Sequence, residues 1–483
     1  MGMRLSQLGL TGPDTVEVEG LAVDNRRVRP GDLFAALPGS ATHGARFAGD
    51  ALDRGAVAVL TDPEGAAMLP DGATVITVED PRAALAFAAA LLAGAQPDCM
   101  VAVTGTNGKT SVAAFTRQLW EALGLSAANI GTTGVEGAFH APSAHTTPEP
   151  ITLHRLLADM AAAGVTHAAM EASSHGLDQR RLEAVRLAAA GFTNLTQDHL
   201  DYHGTMEAYF EAKAGLFYRL LPGDGVAVVN IDDAHGVALA AACEARGQEV
   251  ITVGEAEAAR LRLTGQRFDA TGQEVLFRWQ GRASSVRLDL IGGFQAANAL
   301  LAAGLVIAGG EDPEATFAAL PKLSGVRGRM QLAATRANGA TAFVDYAHTP
   351  DAVETALRAL RPHVMGRIVA IVGAGGDRDR GKRPLMGQAA QAHAEVVIVT
   401  DDNPRSEDPG VIRAAVIEGA PGATEIGDRA EAILTGADML EPGDALLIMG
   451  KGHETGQTVG DMVLPFDDVE QASISVAALE GRA

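Results

Sequence analysis

The sequence predicts an α/β protein of three domains. Three observations carry that prediction. The chain has 483 residues, about three domains at roughly 150 residues each. Apolar strand-like runs alternate with helical segments over most of its length, which calls for mostly parallel sheets covered on both faces. Several of those runs end in polar, glycine-rich loops, where an open α/β sheet binds its ligands.

Taken in order, residues 1–97 hold short strands near Val57–Leu60 and Thr74–Val78 and a helix over Pro81–Ala93, closed by the linker Gly94-Ala95-Gln96-Pro97. Residues 98–326 read as repeated strand–helix units. Their strands fall at Met100–Thr104, Thr166–Met170, Ala188–Phe192, Gly225–Asn230 and Glu249–Val253. Polar–apolar alternation over 261–290 predicts a small antiparallel addition, and a helix follows near Phe294–Ile307. A boundary at Gly325-Val326-Arg327-Gly328 opens a third set, 327–483, with strands at Ala342–Asp345, Arg367–Val372, Val396–Thr400 and Ala445–Met449.

Composition narrows the function. Apolar residues make up 47% and charged residues 20%, the profile of a globular protein, and the net charge is −22. That charge argues against nonspecific nucleic-acid binding and against adhesion to anionic lipid. The apolar runs around Ala83–Ala95 and Ala297–Gly310 are too short to span a bilayer, and Met1–Leu10 lacks a signal pattern. Cys99 and Cys243 are the only cysteines, expected to be buried, reduced residues of a cytoplasmic protein.

Val101–Ser111 is the most telling stretch. An apolar strand runs into Gly105-Thr106-Asn107-Gly108-Lys109-Thr110-Ser111 and a helix. Such a turn lets backbone N–H groups approach phosphate oxygens, Lys109 adds a full charge, and the Thr110 hydroxyl can bind Mg²⁺. The usual P-loop has a further glycine where Val103 stands, so this loop is shortened.

Two more loops follow strands. In Glu171-Ala172-Ser173-Ser174-His175-Gly176, Glu171 can reach a metal on nucleotide phosphates, or the stretch can simply cap a helix. In Asp198-His199-Leu200-Asp201-Tyr202-His203, two carboxylates and two histidines can ligate a cation or remain solvated. Lys213 reads as an ordinary surface lysine.

Together these residues resemble the Mur ligase family, the ATP-dependent amide-bond ligases of bacterial cell-wall synthesis. The resemblance runs through Thr104–Thr110, Met170–Gly176, Asp198–Tyr202, Arg327–Met330 and Asp345–Pro350. It implies a UDP-precursor-binding domain, a central ATPase domain and a Rossmann-like C-terminal domain that brings the amino acid and swings toward the centre. Asp402-Asn403-Pro404-Arg405 matches the motif that separates diaminopimelate-adding from lysine-adding members. Arg405 would pair bidentately with the extra carboxylate of diaminopimelate, which lysine lacks.

The resemblance further places Arg378, Gly450 and Glu454 around that amino acid. It implies a CO₂-derived carbamate on Lys213, with Glu171, His199 and the modified Lys213 as ligands of a second Mg²⁺ and Thr110 on the first. Asn298, Arg329 and Asp345 would contact adenine and ribose. The precursor UDP-MurNAc-L-Ala-D-Glu would meet Thr146, Thr147, Ser173, Gln179, Arg181 and Lys213, and Val23, Asn25, His43, Gly44 and Ala45 in the first domain. One departure stands out: the family's Asp-Ser-Arg signature is Asp24-Asn25-Arg26 here. A monomer is expected. The alternatives are a lysine-adding ligase, a folylpolyglutamate synthase-like ligase or, in a different class, a nucleotide-switch NTPase.

Overall fold

The computed structural model describes residues 2–39, 42–143 and 145–481. The chain forms two compact units, Met1–Arg262 with Leu300–Ala319 and Leu263–Ala299 with Leu320–Ala483.

The first unit contains two sheets of interest. Near the N-terminus, Gly20–Ala22, Asp32–Ala35, Ala58–Thr61 and Val75–Thr77 pair in that order, all parallel. Only the last two were expected, because the first is three residues long and the second hides behind Pro30-Gly31. The helix Pro81–Ala93 has the predicted bounds for visible reasons. The Asp80 side chain accepts from the Ala83 N–H at 3.0 Å, Pro81 occupies the first turn, and Gly94 ends it at φ +82°.

The larger sheet runs Gly134–Gly137, Ala127–Gly131, His167–Glu171, Cys99–Thr104, Leu187–Phe192, Val226–Asn230, Glu249–Gly254 and the start of the strand at Leu261. Every pairing is parallel except the Ala127–Gly131/Gly134–Gly137 edge hairpin. All the predicted strands of this region are present. The hairpin was not expected, since Ala127-Ala128-Asn129-Ile130-Gly131 is rich in residues that strands disfavour. Burying them on every side overrides that propensity.

In the second unit, Gly272–Trp279 and Arg282–Leu288 pair antiparallel, as the alternation predicted. The main sheet has the order Gln331–Thr335, Thr341–Asp345, Ala445–Met449, Ile368–Val372, Val396–Val399, Thr424–Glu425, parallel throughout except at its first strand. The strand Ala445–Met449 thus lies between two strands that precede it in sequence. Loops leaving the carboxyl ends of its neighbours are brought to one edge, the place where open sheets bind ligands.

Behind that edge Arg429 and Asp468 form a buried, two-pronged ion pair, Nε–Oδ1 and Nη2–Oδ2 both 2.7 Å, with side chains 1% and 0% exposed. Arg429 also donates to the Met449 carbonyl at 3.0 Å, fixing the end of the central strand. Removing one partner strands the other charge in the interior. Asp468→Asn is therefore expected to cost about 3–5 kcal/mol of stability, read as a fall in urea midpoint. An unchanged midpoint would contradict the assignment.

Candidate active site

The phosphate loop is built by the strand Cys99–Thr104 and the helix Lys109–Ala122. Gly105 has φ +143°, and any Cβ there would run into the Thr193 side chain. The loop therefore needs glycine at this point. The helix is capped by Gly108, which has no side chain to spend on the first turn. The neighbouring strand end braces the loop. Thr106 N–H donates to the Asn194 carbonyl at 2.9 Å, Asn107 N–H to Asn194 Oδ1 at 3.0 Å, and Thr193 Oγ1 to the Asn107 carbonyl at 2.6 Å. Ser111 is buried in the first helical turn.

Two lysines converge on this loop. Lys109 Nζ donates to the carbonyls of Gly105 at 2.9 Å and Thr106 at 2.7 Å. Lys213 Nζ donates to the same Gly105 carbonyl at 2.8 Å and lies 4.3 Å from the centre of the Tyr209 ring. Lys213 is 1% exposed, so the expectation of a surface lysine from local sequence fails. Burial, with the Lys109 charge beside it, holds its pKa well below the usual lysine value. It pairs with no carboxylate among the described residues. Tyr209, kept protonated by burial with its pKa pushed up to about 12, donates to Thr106 Oγ1 at 3.3 Å.

Glu171 ends the strand His167–Glu171 and is 1% exposed. Its Oε2 accepts from Thr110 Oγ1 at 3.0 Å and from Thr132 Oγ1 at 3.4 Å. Its Oε1 accepts from the Thr132 N–H at 2.8 Å. These hydrogen-bond donors are all neutral. A buried carboxylate with neutral partners, pointed at the hydroxyl of the phosphate loop, is the donor set a divalent cation takes.

A continuous network leads on from Glu171. Thr132 Oγ1 lies 3.0 Å from Thr146 Oγ1, and Thr147 Oγ1 donates to the Glu171 carbonyl at 2.9 Å. Ser173 N–H donates to Thr147 Oγ1 at 3.0 Å, and Ser173 Oγ caps the next helix. Arg181 donates to the Thr147 carbonyl at 2.7 Å and to Gln179 Oε1 at 2.8 Å. Gln179 reaches Tyr202, whose hydroxyl donates to Asp178 at 2.7 Å. Thr146, through Thr132, thus joins the Glu171 carboxylate, while Thr147, Ser173, Gln179 and Arg181 join its backbone carbonyl in one hydrogen-bonded network.

His199 is placed differently. Its ring lies edge-on to His175 at 4.9 Å, and its Nε2 is 3.4 Å from Asp198 Oδ2. No hydrogen bond or ion pair joins it to Glu171 or Lys213 among the described residues. Nor do the described residues include any group of three or more His, Cys, Asp and Glu side chains placed to hold a metal. The side chain of Asp201 lies outside the described residues.

In the first domain, His43 Nδ1 accepts from the Ala45 N–H at 3.0 Å while its Nε2 faces Asp62 at 3.0 Å. Both ring nitrogens of His43 thus hold the turn His43-Gly44-Ala45. Asn25 donates to Asp50 at 2.5 Å, and Val23 is exposed nearby in sequence.

In the second unit, the Asp345 carboxylate accepts from Met330 N–H at 2.7 Å and Ala347 N–H at 2.9 Å, and burial raises its pKa. The Arg329 guanidinium lies 4.9 Å from the centre of the Tyr346 ring. Asn298 donates to Gln295 at 3.1 Å. Gln295 and Arg329 line one cavity of about 270 Å³ with Ile291, Met330 and Phe343.

The loop Asp402-Asn403-Pro404-Arg405 sits at the sheet edge. Asn403 and Arg405 take φ +44° and +51°. Arg405 is pinned by its backbone: its N–H donates to the Thr458 carbonyl at 3.1 Å, and its carbonyl accepts from Gly460 at 2.7 Å. Its guanidinium donates to the Gly376 carbonyl at 2.8 Å. Gly375 lies against both the Arg405 and Arg378 side chains, so the two arginines flank one glycine-rich turn. Gly376 packs on the Pro404 carbonyl and Gly450 on the Asp402 carboxylate, so closely that a Cβ would collide at either. Glu454 Oε2 accepts from Asn403 Nδ2 at 2.8 Å.

Thr132, Tyr209, Asn194 and Lys451 were missed from sequence. For Thr132 the signal was available: Gly131-Thr132-Thr133 follows an apolar run in the manner of the other site loops. For Tyr209 and Lys451 only the fold supplies it.

Comparison with known proteins gives the family. Family models described as the Mur ligase family catalytic domain, the Mur ligase middle domain and the Mur ligase glutamate ligase domain match residues 17–92, 103–306 and 328–452. A protein of Chelativorans sp. (strain BNC1) named UDP-N-acetylmuramoyl-L-alanyl-D-glutamate–2,6-diaminopimelate ligase is 51% identical, with 94% of each chain covered. A protein of the same name from Bradyrhizobium diazoefficiens is 52% identical, with 96% of each covered. A solved structure described by that name superposes with a TM-score of 0.74 at 35% identity, covering 99% of this chain and 100% of the other. The chain belongs to the Mur ligase family.

Proposed function

We propose that the protein adds meso-diaminopimelate to UDP-MurNAc-L-Ala-D-Glu at the expense of ATP, in peptidoglycan precursor synthesis in the cytoplasm. The observation that carries this reading is the loop at Asp402–Arg405, with Arg405 and Arg378 at one turn and Glu454 tied to Asn403. Two arginines suit the distal carboxylate of a diamino diacid, and Glu454 suits its ammonium group. Lysine would leave the arginines without a partner, which disfavours the lysine-adding alternative. The working division is 1–97 for the precursor, 98–326 for ATP and 327–483 for the amino acid, in a monomer.

The D-glutamyl carboxylate attacks the γ-phosphate of ATP to give an acyl phosphate and ADP. The free amine of diaminopimelate then attacks the acyl carbon, and phosphate leaves. Lys109 offsets charge that develops on the phosphoryl oxygens, and the loop amides from Gly105 to Ser111 fix its orientation. Thr110, Glu171, His199 and Lys213 as its carbamate would hold Mg²⁺, two ions in all, which supply charge neutralisation at the phosphates when bound. His199 would need to release Asp198 to take part. Thr146, Thr147, Ser173, Gln179 and Arg181 hold the precursor, with Val23, Asn25, His43, Gly44 and Ala45 toward its UDP end. Asn298, Arg329 and Asp345 hold adenine and ribose.

The test is phosphate release with each substrate omitted in turn. Release is expected only when ATP, precursor and amino acid are all present, and with meso-diaminopimelate far above lysine or ornithine. Steady hydrolysis without an acceptor would favour a nucleotide switch, and equal use of lysine would favour the lysine-adding enzyme.

A further inference from the structure

The most deeply buried cation of the second unit's sheet edge is one to which the reaction above gives no role. Lys451 has no exposed side-chain surface. Its ammonium donates to Gln457 Oε1 at 2.9 Å, Asn403 Oδ1 at 3.1 Å and Glu454 Oε2 at 3.5 Å, and lies 3.7 Å from Asp402 Oδ1. An ammonium only donates, so every neighbour must turn an oxygen toward it.

That requirement settles the orientation of two amides. Asn403 Oδ1 accepts from Lys451 and also from the Thr458 N–H at 2.8 Å. Its Nδ2 must then point the other way, where it meets Glu454 Oε2. Gln457 Oε1 likewise accepts from Lys451 and from the Asn403 N–H at 3.2 Å. Among the described residues, Glu454 is held through its Oε2 alone. Its other oxygen belongs to a side chain about one-third exposed.

We propose that Lys451 is a positioning residue for acceptor recognition: by fixing the Asn403 amide and one oxygen of Glu454, it presents the other oxygen of Glu454 to the ammonium group of the incoming amino acid. The proposal rests on the reading that Glu454 and Arg405 bind that amino acid. Lys451 also offsets two carboxylates, Asp402 and Glu454, that would otherwise repel each other across the site. Burial lowers its own pKa, and the two carboxylates oppose that shift.

Lys451→Met keeps the unbranched apolar stem, one atom shorter, and removes the charge. It is expected to raise the KM for diaminopimelate about 10- to 100-fold, with kcat and the KM values for ATP and precursor within about threefold of wild type. Because Lys451 acts through Glu454, the same change in a Glu454→Gln background should add little. Asn403→Asp provides a second variant if Lys451→Met does not fold. It still accepts from Lys451 and Thr458 but cannot donate to Glu454, and it should raise the same KM without loss of the folded state.

Equal changes in all three KM values, or full additivity with Glu454→Gln, would reduce Lys451 to a packing role and overturn the proposal. If Glu454→Gln and Arg405→Ala move the diaminopimelate KM while Lys451→Met and Asn403→Asp do not, the proposal alone fails. If Glu454→Gln and Arg405→Ala leave it unchanged, the reading of the site fails and takes the proposal with it.

Discussion

Lys213→Ala is expected to lower the turnover of ligation by about 10³-fold while leaving the protein folded, an effect on the scale of removing a key charge-stabilising group from a phosphoryl-transfer site. The native environment of Lys213 explains the size. Its amine is buried beside Lys109 and, among the described residues, meets the Gly105 carbonyl and the Tyr209 ring. As an ammonium there it is a cation next to a cation, at a cost. As a carbamate it becomes an anionic oxygen donor near the phosphate loop.

Carbamate formation needs the neutral amine, which attacks CO₂ and releases a proton. The lowered pKa makes that form more available than it is for an exposed lysine. The sign of the pH dependence follows. Without CO₂, the fold loses stability as pH falls from the ordinary lysine value of 10.5 toward the lowered value, because the charged form is the one burial disfavours. Carbamylation rises with pH over the same window. Two measurements check this. Depleting CO₂ should lower activity of the wild type, with recovery on adding bicarbonate. A short carboxylic acid such as acetate should partly restore Lys213→Ala by supplying the missing oxygens. Activity insensitive to CO₂, or a Lys213→Ala enzyme with more than a tenth of wild-type turnover, would contradict the carbamate.

The second large effect is expected at the acceptor. Arg405→Ala should lower kcat/KM for diaminopimelate about 10²- to 10³-fold, the loss that follows when one partner of a buried, hydrogen-bonded charge pair is truncated, about 3–4 kcal/mol. The effect on lysine should be small, so the preference for diaminopimelate over lysine should collapse. Arg405→Lys should rescue poorly, because an ammonium cannot reproduce the planar fork. The backbone at Arg405 is fixed by Thr458 and Gly460, so the loop should survive the truncation. Retained selectivity in Arg405→Ala, with competing diaminopimelate and lysine in one assay, would remove Arg405 from the recognition of the distal carboxylate.

Much of this architecture is legible in the sequence, and the reasons are physical. The helix at Pro81 announces itself through Asp80, Pro81 and Gly94, each acting on its own backbone. The longer parallel strands of the two large sheets, such as Cys99–Thr104 and Ala445–Met449, are apolar on both faces and read as unbroken runs. What sequence hides depends on partners far along the chain. Lys213 looks like any lysine on a helix until Gly105 and Tyr209 are seen around it. Lys451 is invisible for the same reason, with Asn403 some fifty residues away. Resemblance supplied Lys213 where local reasoning could not. For His199 the loop suggests a ligand, and the structure places its Nε2 3.4 Å from Asp198 Oδ2. Asn25, a candidate contact to the nucleotide sugar, spends its amide on Asp50.

The close packing of Gly376 on Pro404 and of Gly450 on Asp402 has a consequence for how acceptor choice can change over evolution. At Gly376 two backbone segments touch with no room for even a methyl group, and at Gly450, which holds φ +118°, a Cβ would meet the Asp402 carboxylate. Their separation is therefore not an adjustable variable: drift at either glycine breaks the turn before it widens the site. On the proposed reading of the site, new acceptors are reached by exchanging the side chains that project from this frame, at Arg378, Arg405 and Glu454. A mutational library aimed at altered substrates gains by varying those three and holding both glycines constant.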